Sequence, residues 1–359
     1  MEKKRIGIVG AGKISGIYLK NVQGMFGKQL ILTGVTDLVE ERAKEAAREH
    51  RIRCFKDAAE LIACAEVDIV LNLTQPQHHY ELALAAVRGG KHVYNEKPLC
   101  VSRKEAAALL RAAGEQQVRV GAAPDTFLGA GIQTCRKLID DGWIGRPLGA
   151  TAFMMNHGHE HWHPDPAFYY KTGGGPLFDM GPYYLTALVN LLGPIARVSG
   201  SAQQSFTTRT ITSEPLNGQV IPVEVPTHIA GVLDFVSGAV GTLITSFDVY
   251  AHSLPYIEIY GAEGTLKVPD PNTFGGPVLV RRGMAEAWSE IPLLRDFPEN
   301  SRGLGVKDMA EALGENRPHR ASGELAYHVL EVMHGILEAS ASGAYYPVQS
   351  RCSRPEPLV

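Results

Sequence analysis

The fold of this chain is decided by the stretch Lys4-Arg5-Ile6-Gly7-Ile8-Val9-Gly10-Ala11-Gly12-Lys13-Ile14-Ser15-Gly16. The apolar run 6–9 predicts a buried strand, because it is rich in β-branched residues and ends in glycine. A helical pattern begins directly after the glycines. A strand that passes through a glycine turn into a helix directs backbone N–H groups toward a ligand, and such groups bind a pyrophosphate. We therefore predict a dinucleotide site that includes Gly10, Gly12, Lys13 and Ile14.

The acidic residue Asp37 strengthens this interpretation. The apolar segment 30–36 predicts a second strand, and Asp37 follows it about 25 residues after the glycines. A carboxylate there accepts hydrogen bonds from both hydroxyls of an adenosine ribose and repels a 2′-phosphate, and Leu38 rather than arginine comes next. We expect NAD rather than NADP. Asp37 can also cap the helix predicted over 40–50, and the two roles can coexist.

The composition is typical of a globular protein with two domains. The chain has 359 residues, of which 45% are hydrophobic and 20% charged. Its net charge of −3 gives no reason to expect a nucleic acid or an anionic membrane as a partner, and its apolar runs are too short for a transmembrane helix or a signal peptide. The five cysteines are odd in number and scattered, which predicts reduced thiols in a cytoplasm.

The pattern of secondary structure changes near residue 123. Helices and strands alternate before it, which predicts an α/β fold with an N-terminal Rossmann domain, a doubly wound parallel sheet, over 1–123. Strands dominate over 124–359, which predicts an α+β domain with an open, mostly antiparallel sheet. Helices can cover one face of that sheet, and we expect a second copy to cover the other, in a homodimer or homotetramer.

Parallel strands present their carboxyl ends at one edge of a sheet, where open α/β sheets bind ligands. Several chemically useful residues follow predicted strands of the first domain. They are Gly10, Asp37, Thr74, Glu96 and Lys97. We therefore expect one crevice to collect them.

Four motifs together resemble one family. They are Gly10–Ile14, Gly90–Pro98 with its Glu-Lys-Pro, the glycine-rich Gly173–Gly181, and Tyr260–Leu266. The chain is similar over nearly its whole length to the glucose–fructose oxidoreductase/inositol dehydrogenase (Gfo/Idh/MocA) family. The resemblance implies hydride transfer between a nicotinamide and a hydroxyl of a sugar or polyol. Two rivals from the same family are a glycosidase or lyase that retains its NAD, and a non-catalytic NAD(P)-binding sensor.

The resemblance implies that Lys97 meets the substrate hydroxyl and that His79 borders the cofactor. The positions of Thr74 and Glu96 at strand ends predict that they also lie at the cofactor site. Chemistry supports the role of Lys97 independently, because burial and a neighbouring cation both favour its neutral amine. A neutral amine can take the proton of an alcohol, and the ammonium can return it. The alternative is a structural ion pair between Lys97 and a carboxylate such as Asp179.

Asp179 and Tyr183 lie one helical turn apart, at a position where family members commonly carry Asp-x-x-x-His. The tyrosine is a departure from that pattern. It can exchange a proton, although its ordinary pKa of about 10 makes it a poor base at neutral pH. Alternatively, Tyr183 orients a sugar hydroxyl while Lys97 moves the proton. A third alternative is that the chain has lost dehydrogenase activity. We favour Tyr183 as a site residue and Lys97 as the main acid and base.

Histidines alternate through 157–163, which in an extended segment would place them on one side, as in a metal site. Glycine and proline favour a loop instead, so we predict no metal. In that loop Trp162 is predicted to stack on a sugar face and His163 to hydrogen-bond hydroxyls, with solvent-facing histidines as the alternative. The resemblance also implies substrate contacts near Asp125. His79 can alternatively cap its own helix.

Overall fold

The first buried apolar run forms a central strand of a parallel sheet. The computed structural model describes residues 2–358. Within them, the first sheet has six parallel strands in the order β3-β2-β1-β4-β5-β6. These strands are β1 (Lys4–Val9), β2 (Leu30–Thr36), β3 (Arg53–Cys54), β4 (Ile69–Asn72), β5 (His92–Asn95) and β6 (Val120–Ala122). The order in which strands are added reverses between β1 and β4, which is the doubly wound pattern that the sequence predicts.

Helices alternate with these strands, and capping side chains mark where two of them begin. They are α1 (Ser15–Gln23), α2 (Glu40–His50), α3 (Ala58–Ala63), α4 (His79–Arg88) and α5 (Arg103–Glu115). Asp57 caps α3 by accepting a 2.8 Å hydrogen bond from the backbone of Glu60. Ser102 and Glu105 form a capping box at α5. By contrast, α1 has neither a side-chain cap nor an acidic residue in its first turn.

Close packing divides the chain into two units, and the first of them is discontinuous. It contains the residues through Gly129 and also Glu299–Leu330, a segment that includes helix α8 (Leu304–Glu315). This division differs from the predicted 1–123 and 124–359, because a later segment returns to the first unit. The return is held by the buried Asn21, whose Nδ2 donates to the carbonyls of Asn300 and Arg302 at 2.9 Å. Local sequence patterns contain no signal for such a long-range return.

The second unit contains Ala130–Pro298 and the residues from Glu331 onward. Its described strands form a nine-stranded sheet in the order β16-β15-β14-β13-β7-β12-β11-β8-β17, in which only the β7–β12 pair is parallel. Strands of this unit are β7 (Pro147–Met155), β8 (Ile195–Gln203), β9 (Thr208–Thr210), β10 (Val220–Pro222), β11 (His228–Phe235), β12 (Val240–Ser246), β13 (Ile257–Gly261), β14 (Gly264–Val268), β15 (Val278–Arg282), β16 (Ser289–Ile291) and β17 (Tyr346–Pro347). The predicted α/β fold class, with a mostly antiparallel second sheet, is confirmed.

Four further helices complete the fold: α6 (Ala130–Asp140), α7 (Gly175–Leu192), α8 (Leu304–Glu315) and α9 (Gly323–Ser342). Helix α7 packs on β7, β11 and β12, and α6 packs on β14 and β15. These helices bury the alternate residues of the sheet that face them, such as Ile229 and Leu233 of β11. Among the helices of residues 2–358, none has both the length and the apolar composition needed to cross a bilayer.

Candidate active site

The glycine turn after β1 brings the chain close to the end of β4. Gly10 has a φ of +103°, and a Cβ there would lie 2.8 Å from the carbonyl carbon of Leu73 and 3.1 Å from the nitrogen of Thr74. Only glycine combines this backbone conformation with so close an approach. Its N–H donates to the carbonyl of Thr36 at 2.8 Å, which fixes the turn to the end of β2.

Gly12 and the start of α1 suit a dinucleotide. A Cβ on Gly12 would meet no protein atom within 4 Å, so the backbone is open on that side. Lys13 and Ile14 lead directly into the uncapped first turn of α1, and both are exposed. An uncapped helix N-terminus with no acidic side chain offers its amides and its positive dipole to an anion. These features fit the pyrophosphate of NAD.

Asp37 lies at the carboxyl end of β2, where it joins two backbone segments. Its Oδ2 accepts from the N–H of Ala11 and its Oδ1 from the N–H of Val39, both at 2.7 Å. Val39 occupies the N-cap position of α2, so Asp37 is not the cap of that helix. The carboxylate is half-buried beside the glycine turn, and each of its oxygens has a second lone pair with which to accept a ribose hydroxyl.

Buried amides join the ends of β4 and β5. Asn72 is fully buried, and its Oδ1 accepts from the hydroxyl of Thr74 at 2.7 Å. Its Nδ2 donates to Oδ1 of Asn95 at 3.1 Å, and Nδ2 of Asn95 donates to the carbonyl of Leu99 at 2.9 Å. Thr74 therefore lies at the same sheet edge as the Glu-Lys-Pro segment.

The imidazole of His79 lies between the loops that follow β4 and β5 and contacts both of them. It is fully buried, and its ring nitrogens lie 2.7 Å from the carbonyl oxygen of Pro98 and 3.0 Å from that of Thr74. Burial lowers the pKa of His79, which favours the neutral ring. The ring does not cap α4, because both of its nitrogens face carbonyl oxygens of neighbouring loops. This geometry makes His79 a support for the cofactor loops.

Glu96 and Lys97 follow β5 and differ in exposure. The buried carboxylate of Glu96 accepts from the hydroxyl of Tyr18 at 2.7 Å and from the backbone N–H of Lys97 at 2.9 Å. Burial raises the pKa of Tyr18 well above its usual range, so its hydroxyl stays protonated and donates. The Lys97–Pro98 peptide is cis, and Lys97 is half-buried while both of its neighbours are buried. The motif therefore projects one partly accessible amine from a fixed backbone.

The carboxylate of Asp125 is buried and bonds to backbone amides of its own unit. It is 1% exposed, and its Oδ2 accepts from the N–H groups of Gly303 and Gly305 at 2.8 and 3.0 Å. Burial raises the pKa of Asp125 to about 6. The carboxylate satisfies the first amides of α8, which has no side-chain cap from its own N-cap residue. The carboxylate therefore anchors the start of α8, and a substrate contact near Asp125 stays a prediction.

Asp179 and Tyr183 lie on α7, four residues apart and therefore on the same side of the helix. The glycine run brings another segment close to the start of this helix: a Cβ on Gly174 would lie 2.6 Å from the carbonyl oxygen of Tyr169. Asp179 is half-buried and Tyr183 is 8% exposed. Oδ2 of Asp179 lies 3.3 Å from Nε2 of His159, so an imidazole from the loop after β7 meets the carboxylate.

The histidine-rich segment is a loop, and its histidines have different surroundings. His157 stacks on Tyr250 with ring centroids 3.6 Å apart, whereas His161 is exposed. Trp162 is 47% exposed, and its ring meets the rings of His159 and His163 edge-on, with centroids 5.3 Å apart in each case. Among residues 2–358 no group of three or more histidine, cysteine, aspartate or glutamate side chains is arranged to hold a metal ion.

The loop is anchored by Glu160, which is buried. Its Oε2 accepts from the hydroxyl of Tyr170, and its Oε1 lies 3.4 Å from Nη1 of Arg209. Arg209 also forms an ion pair with Asp248. Burial and, to a smaller extent, the hydrogen bond to Glu160 raise the pKa of Tyr170. Its hydroxyl therefore stays protonated and donates. Because Glu160 is bonded to both Tyr170 and Arg209, the loop keeps a defined course.

Comparison with known proteins identifies the family. A model of the oxidoreductase family's NAD-binding Rossmann fold matches residues 4–123, and a model of the GFO/IDH/MocA C-terminal domain matches residues 132–267. The chain belongs to the Gfo/Idh/MocA family of oxidoreductases. The predicted family and the NAD cofactor are thereby confirmed, and the glycine turn and Asp37 fit that cofactor.

Relatives in the Gfo/Idh/MocA family carry names of polyol and sugar enzymes. Inositol 2-dehydrogenase 2 of Saccharopolyspora erythraea is 28% identical over 350 residues, which cover 96% of this chain and 95% of that enzyme. The NAD⁺-dependent scyllo-inositol 2-dehydrogenase of Bacillus subtilis is 27% identical over 266 residues, or 73% and 72% of the two chains. Levoglucosan dehydrogenase in complex with NADH and levoglucosan has the same fold, with a TM-score of 0.82 at 20% identity over 97% of this chain and 100% of that one.

Sequence patterns missed His159 as a neighbour of Asp179. The alternating histidines drew attention to the loop, but their spacing does not show which ring turns inward. That choice depends on the local turn, in which the carbonyl of His159 accepts from the N–H groups of Trp162 and His163. Members of the Gfo/Idh/MocA family commonly place a histidine on the helix itself, where this chain has Tyr183.

Proposed function

We propose that this chain is an NAD-dependent dehydrogenase or reductase that acts on a secondary hydroxyl of a sugar, polyol or glycoside. The observation that carries the proposal is the Glu-Lys-Pro segment, in which Lys97 is half-buried between buried neighbours at the carboxyl end of β5. Glu96, held by Tyr18, and His79, held against Pro98, keep that backbone in place. NAD, when bound, supplies the hydride acceptor or donor.

In this proposal Lys97 is the acid and base. Its neutral Nζ takes the proton of the substrate hydroxyl as the carbon is oxidised to a carbonyl, and its ammonium returns the proton when the carbonyl is reduced. Partial burial favours the neutral amine over the charged one. A proton-transfer group fixed in this way contributes about 10²–10⁴-fold to the rate.

We further propose that the second unit binds the substrate through hydroxyl-recognising groups. Asp179 and Tyr183 are suited to accept from and donate to neighbouring hydroxyls, because they lie one turn apart on α7. Trp162 offers a partly exposed ring on which the apolar face of a sugar can stack, and His163 lies beside it. The names of the relatives, which include inositol, xylose and anhydrosugar enzymes, support cyclic polyols and sugars as the substrate class.

A screen of inositols, aldoses, anhydrosugars and glycosides with NAD⁺ tests this function. We expect at least one compound to give stoichiometric NADH, read by its absorbance, and a much lower kcat/KM with NADP⁺ because Asp37 repels a 2′-phosphate. Glycoside cleavage without net formation of NADH would indicate a glycosidase or lyase that retains its NAD. Tight NAD binding with no product from any compound would indicate a sensor.

We propose that a second copy covers the free face of the nine-stranded sheet. Ala230, Ile244 and Phe153 form a paired row across β11, β12 and β7, and all three are half-buried in the single chain. Light scattering is expected to give a dimer or tetramer of the 38.9 kDa chain. Ile244→Lys should dissociate it, whereas Val220→Lys, at an exposed position of β10 outside the nine-stranded sheet, should not. A monomeric native protein would contradict this assembly.

A further inference from the structure

His159 and Asp179 form a pair that no motif predicts. Nε2 of His159 lies 3.3 Å from Oδ2 of Asp179, and the two residues come from different elements of the second unit. The side chains are 10% and 15% exposed, so the contact is largely shielded from water. A carboxylate oxygen only accepts hydrogen bonds, and therefore Nε2 is the ring nitrogen that carries a proton.

The surroundings of the ring hold it in one orientation. The ring centroid of His159 lies 4.0 Å from that of Tyr169, 4.8 Å from that of Phe247 and 5.3 Å from that of Trp162. Nδ1 is buried and finds no hydrogen-bond partner among residues 2–358. An unmet lone pair is easier to accommodate than an unmet N–H, which also favours the tautomer protonated at Nε2.

The loop does not require this pair in order to fold. Glu160, the next residue, already anchors it through Tyr170 and Arg209, and the carbonyl of Glu160 accepts from the N–H groups of Thr212 and Ser213 at 2.9 Å. Contacts of this kind fix the backbone on either side of the turn. The hydrogen bond of His159 thus acts on the carboxylate of Asp179 more than on the loop.

We propose that His159 is a positioning residue, which donates from Nε2 and holds the Asp179 carboxylate in one rotamer for recognition of a substrate hydroxyl. The inference rests on the proposed function, because it assigns Asp179 to the substrate. A fixed carboxylate binds a hydroxyl at a lower entropic cost than one that rotates.

Two substitutions separate the hydrogen bond from the packing of the ring. His159→Phe keeps the aromatic contacts but removes the donor, and it is expected to lower kcat/KM for the sugar about 10- to 30-fold. His159→Gln keeps an N–H near the position of Nε2 and is expected to recover to within about fivefold of the native enzyme. The Kd for NADH and the melting temperature of both variants should match the native values. Equal losses in both variants, or unchanged activity in His159→Phe, would overturn the proposal.

A double-mutant cycle with Asp179→Ala tests whether His159 acts through that carboxylate. In the Asp179→Ala background, where no side-chain acceptor remains for Nε2, His159→Phe should lower kcat/KM by less than about threefold. If the losses of kcat/KM in the two single variants multiply in the double variant, His159 does not act through Asp179 and the proposal is refuted. If the native enzyme forms no NADH with any compound of the screen, the proposed function itself fails. If the native enzyme turns over and the cycle shows no coupling, only the role of His159 fails.

Discussion

Replacing Lys97 with methionine is expected to lower kcat for sugar oxidation by about 10²–10⁴-fold, which is the usual contribution of a positioned acid–base group. Methionine keeps an unbranched side chain of similar length and removes only the ionisable amine. The backbone of the motif should survive, because Glu96 bonds to Tyr18 and to the backbone N–H of residue 97. Steady-state kinetics and titration of NADH fluorescence measure the two effects separately.

The matched control is Lys20→Met, which removes an exposed lysine from α1 of the same unit. It should leave kcat and the Kd for NADH at their native values. If Lys97→Met turned over within about threefold of the native rate, another group would have to carry the proton, since loss of a positioned acid–base group costs at least about 10²-fold. Tyr183 is then the first candidate, and a shift of the activity optimum toward higher pH should accompany that role because of its ordinary pKa of about 10.

Gly12→Val is expected to raise the Kd for NADH by more than about 100-fold while the protein stays folded, because it places side-chain atoms where the pyrophosphate approaches the backbone. The added Cβ would meet no protein atom within 4 Å, so the fold itself has no reason to change. Isothermal titration gives the affinity, and thermal unfolding in the absence of NADH gives the stability.

Gly114→Val provides the control for this variant. Gly114 is exposed in the last turn of α5, and a Cβ there also meets no atom within 4 Å. The helix runs antiparallel to the strands, so its last turn lies at the sheet edge opposite the glycine turn. Near-native affinity in Gly114→Val alongside a large loss in Gly12→Val would locate the pyrophosphate. Unchanged affinity in Gly12→Val would exclude this turn as its site.

Much of the first sheet could be predicted because its signals are local. Buried strands such as β1 and β4 are continuous β-branched or leucine-rich runs, and each ends where glycine or a polar residue begins. The ligand-binding edge follows from parallel topology alone. Gly10, Asp37, Thr74 and Glu96 could therefore be assigned to one edge from their order in the chain.

The second sheet was predicted with larger errors in its boundaries. The apolar pattern of 223–235 favours a single strand, but β11 begins only at His228. Pro226 has no N–H to donate to a ladder, which explains why pairing starts after it. The short strands β9 and β10 were missed, because most of their residues are exposed and they lack an apolar alternation.

Contacts between distant residues could not be predicted. Asp125 bonds to Gly303 and Gly305 across about 180 positions, and nothing in its local sequence distinguishes an anchoring carboxylate from a substrate ligand. The same limit applies to His159 and Asp179. Their pairing depends on the direction in which one loop residue turns, and spacing does not encode that direction.

The return of Glu299–Leu330 to the first unit has a consequence for biosynthesis. All six strands of the nucleotide-binding sheet leave the ribosome long before α8 is translated. Until then the carboxylate of Asp125 lacks its hydrogen bonds from the amides of Gly303 and Gly305. The ring of Tyr94, which packs against Gly305, is also partly exposed until that point. The NAD-binding unit therefore reaches its full packing only when the chain is nearly complete, after strands β7 to β16 of the second unit have also been translated.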